Sequence, residues 1–203
     1  MREFLHFAVL LVGFYLLGAV PFSVWIGRLF LREDIRLRGD GNPGAANVFK
    51  TGKIGFGILA MGLDFAKGFV PLFIYGSGNT VPVLWWILMA WAPVLGHATS
   101  PFLKFKGGKA IAVTFGVWSA LTTWVGPTWL GSMLVFFSFV VIFNTDGWKV
   151  QAALLTLVIP LWLMGMAWPA FVVLLGHMVI SAFKHRADLC VKPEIRLAWW
   201  RVG

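Results

Sequence analysis

The chain has 203 residues, of which 59% are hydrophobic and only 12% are charged, about half the charged share of a soluble domain. With 12 Trp and 19 Phe, it carries more apolar surface than a soluble domain of this length could bury, which excludes an ordinary soluble enzyme. The composition therefore predicts an all-α, polytopic membrane helix bundle. The length suits a single domain over residues 1–203 without a separate soluble domain.

The net charge of +9 narrows the choice of partners. In a soluble protein it would indicate nucleic acid binding, whereas in a membrane protein it reflects basic loops that face anionic lipid headgroups. We therefore expect membrane lipids and no nucleic acid as partners. The single cysteine, Cys190, excludes an internal disulfide, and with only four His and eight acidic residues we expect no metal site and no cofactor.

Seven apolar runs are long enough, or nearly long enough, to cross a bilayer as helices, which takes about 17–25 residues. The first run could pass for a signal peptide, but the later runs favour a retained first span. The predicted spans are residues 4–27, 54–75, 81–97, 110–125, 129–143, 150–166 and 168–183.

The basic residues fix the predicted orientation of these spans. Every Lys and Arg except Arg2 and Lys67 lies in the first, third or fifth loop or in the C-terminal tail, and the other three loops contain none. By the positive-inside rule, the N-terminus lies outside and the C-terminus is cytoplasmic. One span more or fewer would destroy this asymmetry, so it also supports the count of seven.

The longest polar interval, residues 39–52, lies on the predicted cytoplasmic side. Its glycines let the backbone fold closely around a ligand, Asn42 and Asn47 add uncharged donors, and Lys50 adds a positive charge. Such a loop suits a phosphate or another oxyanion. Read alone, it is explained equally well as a turn-rich connector between two helices.

A second polar stretch, residues 96–109, ends in Gly107, Gly108 and Lys109. We expect these residues to open the fourth helix, where exposed backbone N–H groups and the lysine charge could cradle a phosphate. The stretch lacks the first glycine and the Ser/Thr of a Walker A loop. A basic anchor beside the membrane is the simpler explanation of this stretch by itself.

Three further groups of titratable side chains stand out. His185 and Asp188 are spaced to share a helical face, where the histidine could take a proton from a hydroxyl, although a cationic cap at the membrane interface is the alternative. Asp64 and Lys67 share a face of the second span, where a structural ion pair is favoured over a role in lining a site. His97, near the end of the third span, is expected to be a packing residue.

Four segments, taken in order, resemble the bacterial acyl-phosphate-dependent glycerol-3-phosphate acyltransferases. Residues 41–48, GNPGAANV, are similar to the family's G-N-x-G-A-T-N-V, and residues 63–68, LDFAKG, to its L-D-x-x-K-G. Residues 96–109 match G-H-x-x-x-P-x-x-x-F-K-G-G-K, and residues 184–186, KHR, are similar to R-H-R. The resemblance covers nearly the whole chain.

The resemblance implies transfer of an acyl group from acyl phosphate to the 1-hydroxyl of glycerol 3-phosphate, giving lysophosphatidic acid and phosphate for phospholipid synthesis. It implies a multi-pass protein of the bacterial inner membrane, an active site facing the cytoplasm, and transient contact with the soluble enzyme that makes acyl phosphate. The implied catalytic residues are Lys109, His185 and Asp188, and the implied substrate- and phosphate-binding residues are Asp40, Gly41, Asn42, Gly44, Asn47, Lys50, Gly107 and Gly108.

The chain departs from the family pattern at several of these positions. Asp40 replaces a serine, and its carboxylate would repel a phosphate unless Lys50 or Arg38 neutralises it. Ala46 replaces a threonine, Lys50 an arginine, and Asp188 an asparagine, and the family's serine-containing segment has no clear counterpart in residues 144–149.

Two other functions stay open. The departures at Asp40, Ala46 and Asp188 favour a diverged paralogue that uses another acceptor or only binds an anionic lipid. A small transporter is less favoured, because the polar motifs cluster on one face and not at mid-membrane.

Overall fold

The computed structural model describes residues 1–76 and 80–198, and most of these residues are helical. Two short strands, β1 (Val141–Phe143) and β2 (Ile195–Leu197), lie among the helices. The helices are α1 (Arg2–Ala19), α2 (Phe22–Ile26), α3 (Ala45–Phe49), α4 (Ile54–Gly76), α5 (Val83–Ala98), α6 (Ile111–Thr122), α7 (Val125–Phe139), α8 (Asp146–Thr156), α9 (Val158–Leu163), α10 (Trp168–Lys184) and α11 (Arg186–Leu189).

The chain divides into two compact units, Met1–Leu121 and Thr122–Gly203. The first unit contains α1 to α5 and all of α6 except its last residue, and the second contains α7 to α11 with both strands.

Three helical segments in the described part of the chain are long and apolar enough to cross a membrane. They are Arg2–Leu31, Ile54–Gly76 and Val83–Leu103, and they correspond to the first three predicted spans. Three shorter apolar helices, α6, α7 and α10, correspond to the fourth, fifth and seventh predicted spans. The count of seven spans and the orientation of the termini stay predictions.

The sixth predicted span, residues 150–166, is not one helix. It is divided between α8 and α9, which meet at Leu157. Pro160 has no N–H to donate to the carbonyl of Thr156, so the helix cannot continue through this point unchanged. The hydroxyl of Thr156 donates to the carbonyl of Ala153 at 2.8 Å. The helical interval is therefore broken after Thr156.

The strands correct the prediction of a purely helical chain. The fifth predicted span, residues 129–143, ends as a helix at Phe139, and β1 then pairs antiparallel with β2. Asn144 extends the pairing, because its side-chain amide donates to the carbonyl of Lys192 at 3.0 Å and its backbone N–H donates to that of Glu194 at 3.2 Å. The sheet therefore fastens the C-terminal tail to the segment that follows α7.

Glycines bring the backbones of α1 and α5 into contact in the first unit. A Cβ at Gly18 would lie 2.7 Å from the carbonyl carbon of Pro93, and one at Gly96 would lie 2.9 Å from the backbone nitrogen of Ala19. Small residues serve this purpose in membrane proteins, where close van der Waals contact drives helix association. The contact holds the end of α5, and the polar stretch after it, against α1.

The break between α1 and α2 exposes backbone carbonyls that side chains from other segments satisfy. Pro21 follows the end of α1. The Ser100 hydroxyl donates to the carbonyl of Ala19 at 2.6 Å, and the Lys67 ammonium donates to that of Val20 at 2.8 Å. A lysine suits this position because the C-terminal end of a helix carries partial negative charge. The break thus connects α1 to α4 and to the stretch after α5.

A small apolar core lies beneath the glycine- and asparagine-rich loop of residues 39–52. This core packs α2, α3 and α4 together with the turn that precedes the loop. The packing holds both ends of the loop in place. The buried members are Val24, Ile26, Ile35, Val48 and Ala60.

Candidate active site

Asp40 is the centre of a hydrogen-bond network in the loop of residues 39–52. Its Oδ1 accepts from the backbone N–H of Asn42 at 3.2 Å and from the side-chain amide of Asn47 at 3.1 Å. The same Asn47 amide also donates to the carbonyl of Asn42 at 2.8 Å. Because Asn47 belongs to α3 and is completely buried, these bonds fix the loop to the helix.

Two glycines of this loop serve its backbone geometry. Gly41 has a φ of 74°, a conformation that other residues adopt only with strain. Gly44 stands immediately before α3, and a Cβ there would lie 2.8 Å from the side-chain nitrogen of Asn42. The glycines thus allow Asn42 to lie close against the start of α3.

Lys109 is the cationic partner of Asp40, with its Nζ 3.0 Å from Oδ2. Burial raises the pKa of Asp40, but hydrogen bonds from Lys109, Asn42 and Asn47 and the lysine charge outweigh burial and lower that pKa to about 2. The sequence offered Lys50 and Arg38 as the cations that could neutralise this carboxylate, but the cation paired with it is Lys109. Lys109 thereby joins the loop of residues 39–52 to the Gly107–Gly108–Lys109 segment.

Lys50 and Asn47 lie together against Gly39, the first residue of the loop. A Cβ at Gly39, whose φ is 55°, would lie 2.8 Å from Cδ of Lys50 and 2.5 Å from Oδ1 of Asn47. Oδ1 of Asn47 is buried and accepts no hydrogen bond within the part of the chain that the structure describes. The loop therefore offers a positive charge and an unused acceptor side by side, which suits a ligand with both an anionic group and a hydroxyl.

Gly107 and Gly108 do not open a helix as predicted, since α6 begins at Ile111. They pack instead against the end of α5. The Gly108 N–H donates to the carbonyl of His97 at 3.0 Å, and a Cβ at Gly107 would lie 2.7 Å from the carbonyl carbon of Ala98. Close packing against α5 thus requires glycine at these positions, and this packing places Lys109 beside the loop.

The predicted Asp64–Lys67 pair is present, with 2.8 Å between Nζ and Oδ1, and both side chains are almost completely buried. Ser23, which sequence reasoning missed, donates to the other carboxylate oxygen at 3.0 Å. A lone serine in an apolar run gives no signal of this contact, because the contact depends on where α2 meets α4.

In the second unit, His185 and Asp188 form a hydrogen-bonded pair, with Nδ1 2.9 Å from Oδ2. The helix does not continue through them, because His185 is the residue between α10 and α11. An ionised carboxylate only accepts, so Nδ1 is the donor toward Asp188, and in the neutral ring Nε2 then carries the lone pair. Nε2 is buried and has no hydrogen-bond partner among residues 1–76 and 80–198.

The start of α8 packs against the His185–Asp188 pair. Sequence reasoning predicted the pair but missed this support. A Cβ at Gly147 would lie 2.6 Å from Cβ of Asp188 and 3.1 Å from Cβ of His185, so the helix packs directly on both residues. The Thr145 hydroxyl also donates to the carbonyl of Asp188 at 3.2 Å. Residues 144–149 thus have a role, although they match no family motif.

Comparison with known proteins gives the class of this protein. A model of the glycerol-3-phosphate acyltransferase family matches residues 8–190, and the chain belongs to that family. Glycerol-3-phosphate acyltransferase 1 of Thermotoga maritima is 36% identical over 91% of this chain and 96% of its own length. The glycerol-3-phosphate acyltransferase of Thioalkalivibrio sulfidiphilus is 35% identical over 90% of this chain and 88% of its own length.

Two solved structures are similar in fold. One is the crystal structure of PlsY, an integral membrane glycerol 3-phosphate acyltransferase, in its glycerol 3-phosphate form, with a TM-score of 0.78, 26% identity, and coverage of 91% of this chain and 90% of that one. Its lysophosphatidic acid form gives a TM-score of 0.76 and 25% identity over the same shares. Together with the apolar helices, this similarity identifies a multi-pass membrane protein of the acyltransferase class.

Proposed function

We propose that this protein is a membrane glycerol-3-phosphate 1-O-acyltransferase that uses acyl phosphate as donor. The observation that carries the proposal is the ion pair of Lys109 with Asp40. Asp40 belongs to the same loop as Lys50 and Asn47, and the buried Oδ1 of Asn47 accepts no hydrogen bond from the described residues. Glycerol 3-phosphate has both features that such a site would recognise, a phosphate and hydroxyl groups.

The reaction needs little beyond positioning and charge neutralisation. The oxygen of the 1-hydroxyl attacks the acyl carbon, the bond from that carbon to the phosphate oxygen breaks, and inorganic phosphate leaves with the electron pair. A mixed anhydride is already activated, so the protein mainly has to hold two anions close and reduce their repulsion. We assign the binding of phosphate to Lys109, Lys50 and the amides of the glycine loop, and the positioning of substrate to Asn42 and Asn47.

The hydroxyl proton has two possible acceptors, Nε2 of His185 and an oxygen of the departing phosphate. The hydrogen bond between Nδ1 and Asp188 supports the histidine, because the carboxylate holds the ring in the tautomer with a lone pair on Nε2 and stabilises the imidazolium that would form. We therefore propose that His185 orients the acceptor hydroxyl and accepts its proton.

The surroundings of the site follow from the charge pattern of the sequence. We propose a single domain of seven spans in the bacterial inner membrane, with the N-terminus outside and the active site facing the cytoplasm. All three polar stretches lie on the basic side of the predicted spans, which supports this orientation. A donor made by a soluble enzyme would reach this face directly, so we also propose a transient contact with that enzyme.

The decisive experiment measures lysophosphatidic acid and inorganic phosphate formed by detergent-purified protein from palmitoyl phosphate and glycerol 3-phosphate. We expect equimolar products, and we expect Lys109→Ala to lower turnover at least about 100-fold, because the anchoring charge is lost. Lys106→Ala is the matched control, since Lys106 is an exposed lysine three residues away.

Failure to form product from a folded, monodisperse sample would contradict the proposal. The carboxylates Asp40 and Asp188 would then favour the second candidate, a paralogue with another acceptor, which a screen of hydroxylated acceptors with palmitoyl phosphate would identify. Full activity in Lys109→Ala would remove the role assigned to Lys109 and leave the reaction itself intact.

A further inference from the structure

Four polar side chains form a buried cluster in the first unit, next to the end of α5. We call Ser23, Asp64, Lys67 and His97 the buried polar cluster. Asp64 and Lys67 are 2% and 3% exposed, Ser23 is 1% exposed, and His97 is 8% exposed. The reaction described above uses none of these side chains directly.

We propose that His97 is a positioning residue that holds the Gly107–Gly108–Lys109 segment in its phosphate-binding geometry, and that Asp64 fixes the His97 ring. This proposal rests on the proposed function only in naming phosphate as the ligand of Lys109. In this arrangement, side chains outside the site determine the position of Lys109, whichever anion the lysine binds.

His97 contacts the segment in two ways. Its carbonyl accepts from the N–H of Gly108 at 3.0 Å, and its ring lies directly on the α-carbon of the same residue. A Cβ at Gly108 would lie 3.1 Å from Cδ2 and 3.3 Å from Cε1 of the ring, and Nε2 would be closer still. The ring is thus the surface against which Gly108 is packed, one residue before Lys109.

The other end of the ring faces Asp64. Nδ1 of His97 lies 3.7 Å from Oδ1 of Asp64, a distance within ion-pair range and beyond that of a hydrogen bond. The carboxylate is itself immobilised, because Ser23 donates to Oδ2 and Lys67 pairs with Oδ1. Lys67 is in turn attached to the carbonyl of Val20.

These contacts form a continuous chain from the break after α1 to the phosphate-binding segment. The four side chains of the buried polar cluster are all at least nine-tenths buried, so water could not compensate a displaced charge, which would be costly in apolar surroundings. Lys109 lies beyond the last member, and its position relative to Asp40 therefore depends on the ring of His97. A cluster that served stability alone would not require the ring to lie on a glycine of the binding segment.

The test compares His97→Asn with His177→Asn. Asparagine keeps a donor that can point toward Asp64 but lacks the ring edge that lies on Gly108. His177 is a matched control, because it is 1% exposed, also follows a Leu-Gly pair, and belongs to α10 in the second unit. The measurements are kcat, the KM for glycerol 3-phosphate, the Kd for inorganic phosphate, the melting temperature, and hydrogen exchange of peptide 105–110.

We expect His97→Asn to raise the KM for glycerol 3-phosphate and the Kd for inorganic phosphate about tenfold, with kcat changed by less than about threefold. Exchange in peptide 105–110 should become faster than in the wild type at an equal melting temperature. In His177→Asn, kcat, the KM for glycerol 3-phosphate, the Kd for inorganic phosphate and the exchange of peptide 105–110 should stay near their wild-type values. This should hold whether or not the melting temperature changes.

Unchanged phosphate affinity and unchanged exchange in His97→Asn would overturn the proposal. If this variant does not fold, His97→Gln replaces it with a side chain nearer in length to the ring, and misfolding of both variants would assign His97 to stability alone and also overturn the proposal. If the wild type makes no lysophosphatidic acid, the proposed function fails, while the phosphate Kd and the exchange measurement still decide the role of His97.

Discussion

Asp40 illustrates how one side chain changes the electrostatics of a binding loop. A carboxylate beside a phosphate would be repulsive, yet here it accepts hydrogen bonds from two asparagines and forms an ion pair with Lys109. The same lysine is our assigned phosphate ligand, so Asp40 and the phosphate compete for it. The carboxylate orders the loop in the absence of substrate and weakens the attraction for the substrate.

We predict that Asp40→Ser raises the rate at low glycerol 3-phosphate by about two- to fivefold, the factor that corresponds to a partly exposed ion pair of ~0.5–1 kcal/mol. A rate assay with limiting substrate measures this change. Complete loss of activity would instead show that the carboxylate takes part in binding or catalysis.

The pH dependence of this effect follows from the pKa of Asp40, which is lowered from 3.8 to about 2. A lowered pKa in the folded state means that the carboxylate stabilises the fold above about pH 4 and that this contribution is lost as the pH falls toward 2. Asp40 therefore stays ionised throughout the working range. We expect the ratio of Asp40→Ser to wild-type rates to be constant between about pH 6 and 9, and a ratio that varied with pH would contradict this assignment.

Substitution of Gly147 tests whether the His185–Asp188 pair is needed for turnover, because the α-carbon of Gly147 packs on both residues. Gly147→Ala should push Asp188 away from the ring, at an overpacking cost of about 1–3 kcal/mol, and lower kcat at least about tenfold. The control is Gly55→Ala, which is also the second residue of a helix but has nothing within 4 Å of the added Cβ. Equal activity in the two variants would argue against a role for the pair in turnover.

At the scale of elements, the break between α1 and α2 determines which segments of the first unit contact the end of α1. It frees the carbonyls of Ala19 and Val20, and Ser100 and Lys67 satisfy them from two other segments. The break therefore brings a lysine into an apolar region, and Asp64 compensates its charge. A discontinuity in one helix is in this way the reason for a buried ion pair in another.

We predict that Lys67→Met lowers the free energy of unfolding by about 3–5 kcal/mol, because it leaves the Asp64 carboxylate buried without its cation. The double variant with Asp64→Asn should recover most of this loss, since no charge then remains. Thermal unfolding in detergent measures both, with the exposed Lys53→Met as control. If the double variant were no more stable than the single one, the loss would come from the uncapped Val20 carbonyl and not from the charge.

At the scale of the whole molecule, the exposed apolar side chains fit a lipid environment. Along α1 they include Phe4, Leu5, Val9 and Val12, each more than half exposed. A soluble protein rarely presents so continuous an apolar surface. In a bilayer these side chains meet acyl chains, and helix association then depends on close contacts such as that of Gly18 with Pro93.

The proposed orientation is testable with the single cysteine, which is exposed. A membrane-impermeant maleimide should label Cys190 in inside-out vesicles and leave it unlabelled in intact spheroplasts. The control variant combines Cys190→Ser with Arg2→Cys and should show the opposite pattern, because the N-terminus is predicted to lie outside. Labelling of Cys190 from the outer face would overturn the predicted topology.

Composition and motif order determined the class of this protein. An apolar composition admits only a membrane bundle, and four ordered motifs indicated the acyltransferase family. Local spacing also predicted two contacts correctly, Asp64 with Lys67 and His185 with Asp188, since a separation of three residues brings side chains together within a turn.

Only the tertiary structure decided the contacts between residues distant in the chain. That Asp40 pairs with Lys109 and not with Lys50 depends on where the segment after α5 meets the loop, and neither sequence interval contains that information. The same holds for Gly108 against His97 and for Gly147 against Asp188, where glycine is required by a neighbour that folding brings close. Local preferences act within a few residues, whereas these contacts arise from packing, which joins surfaces that the chain order leaves far apart.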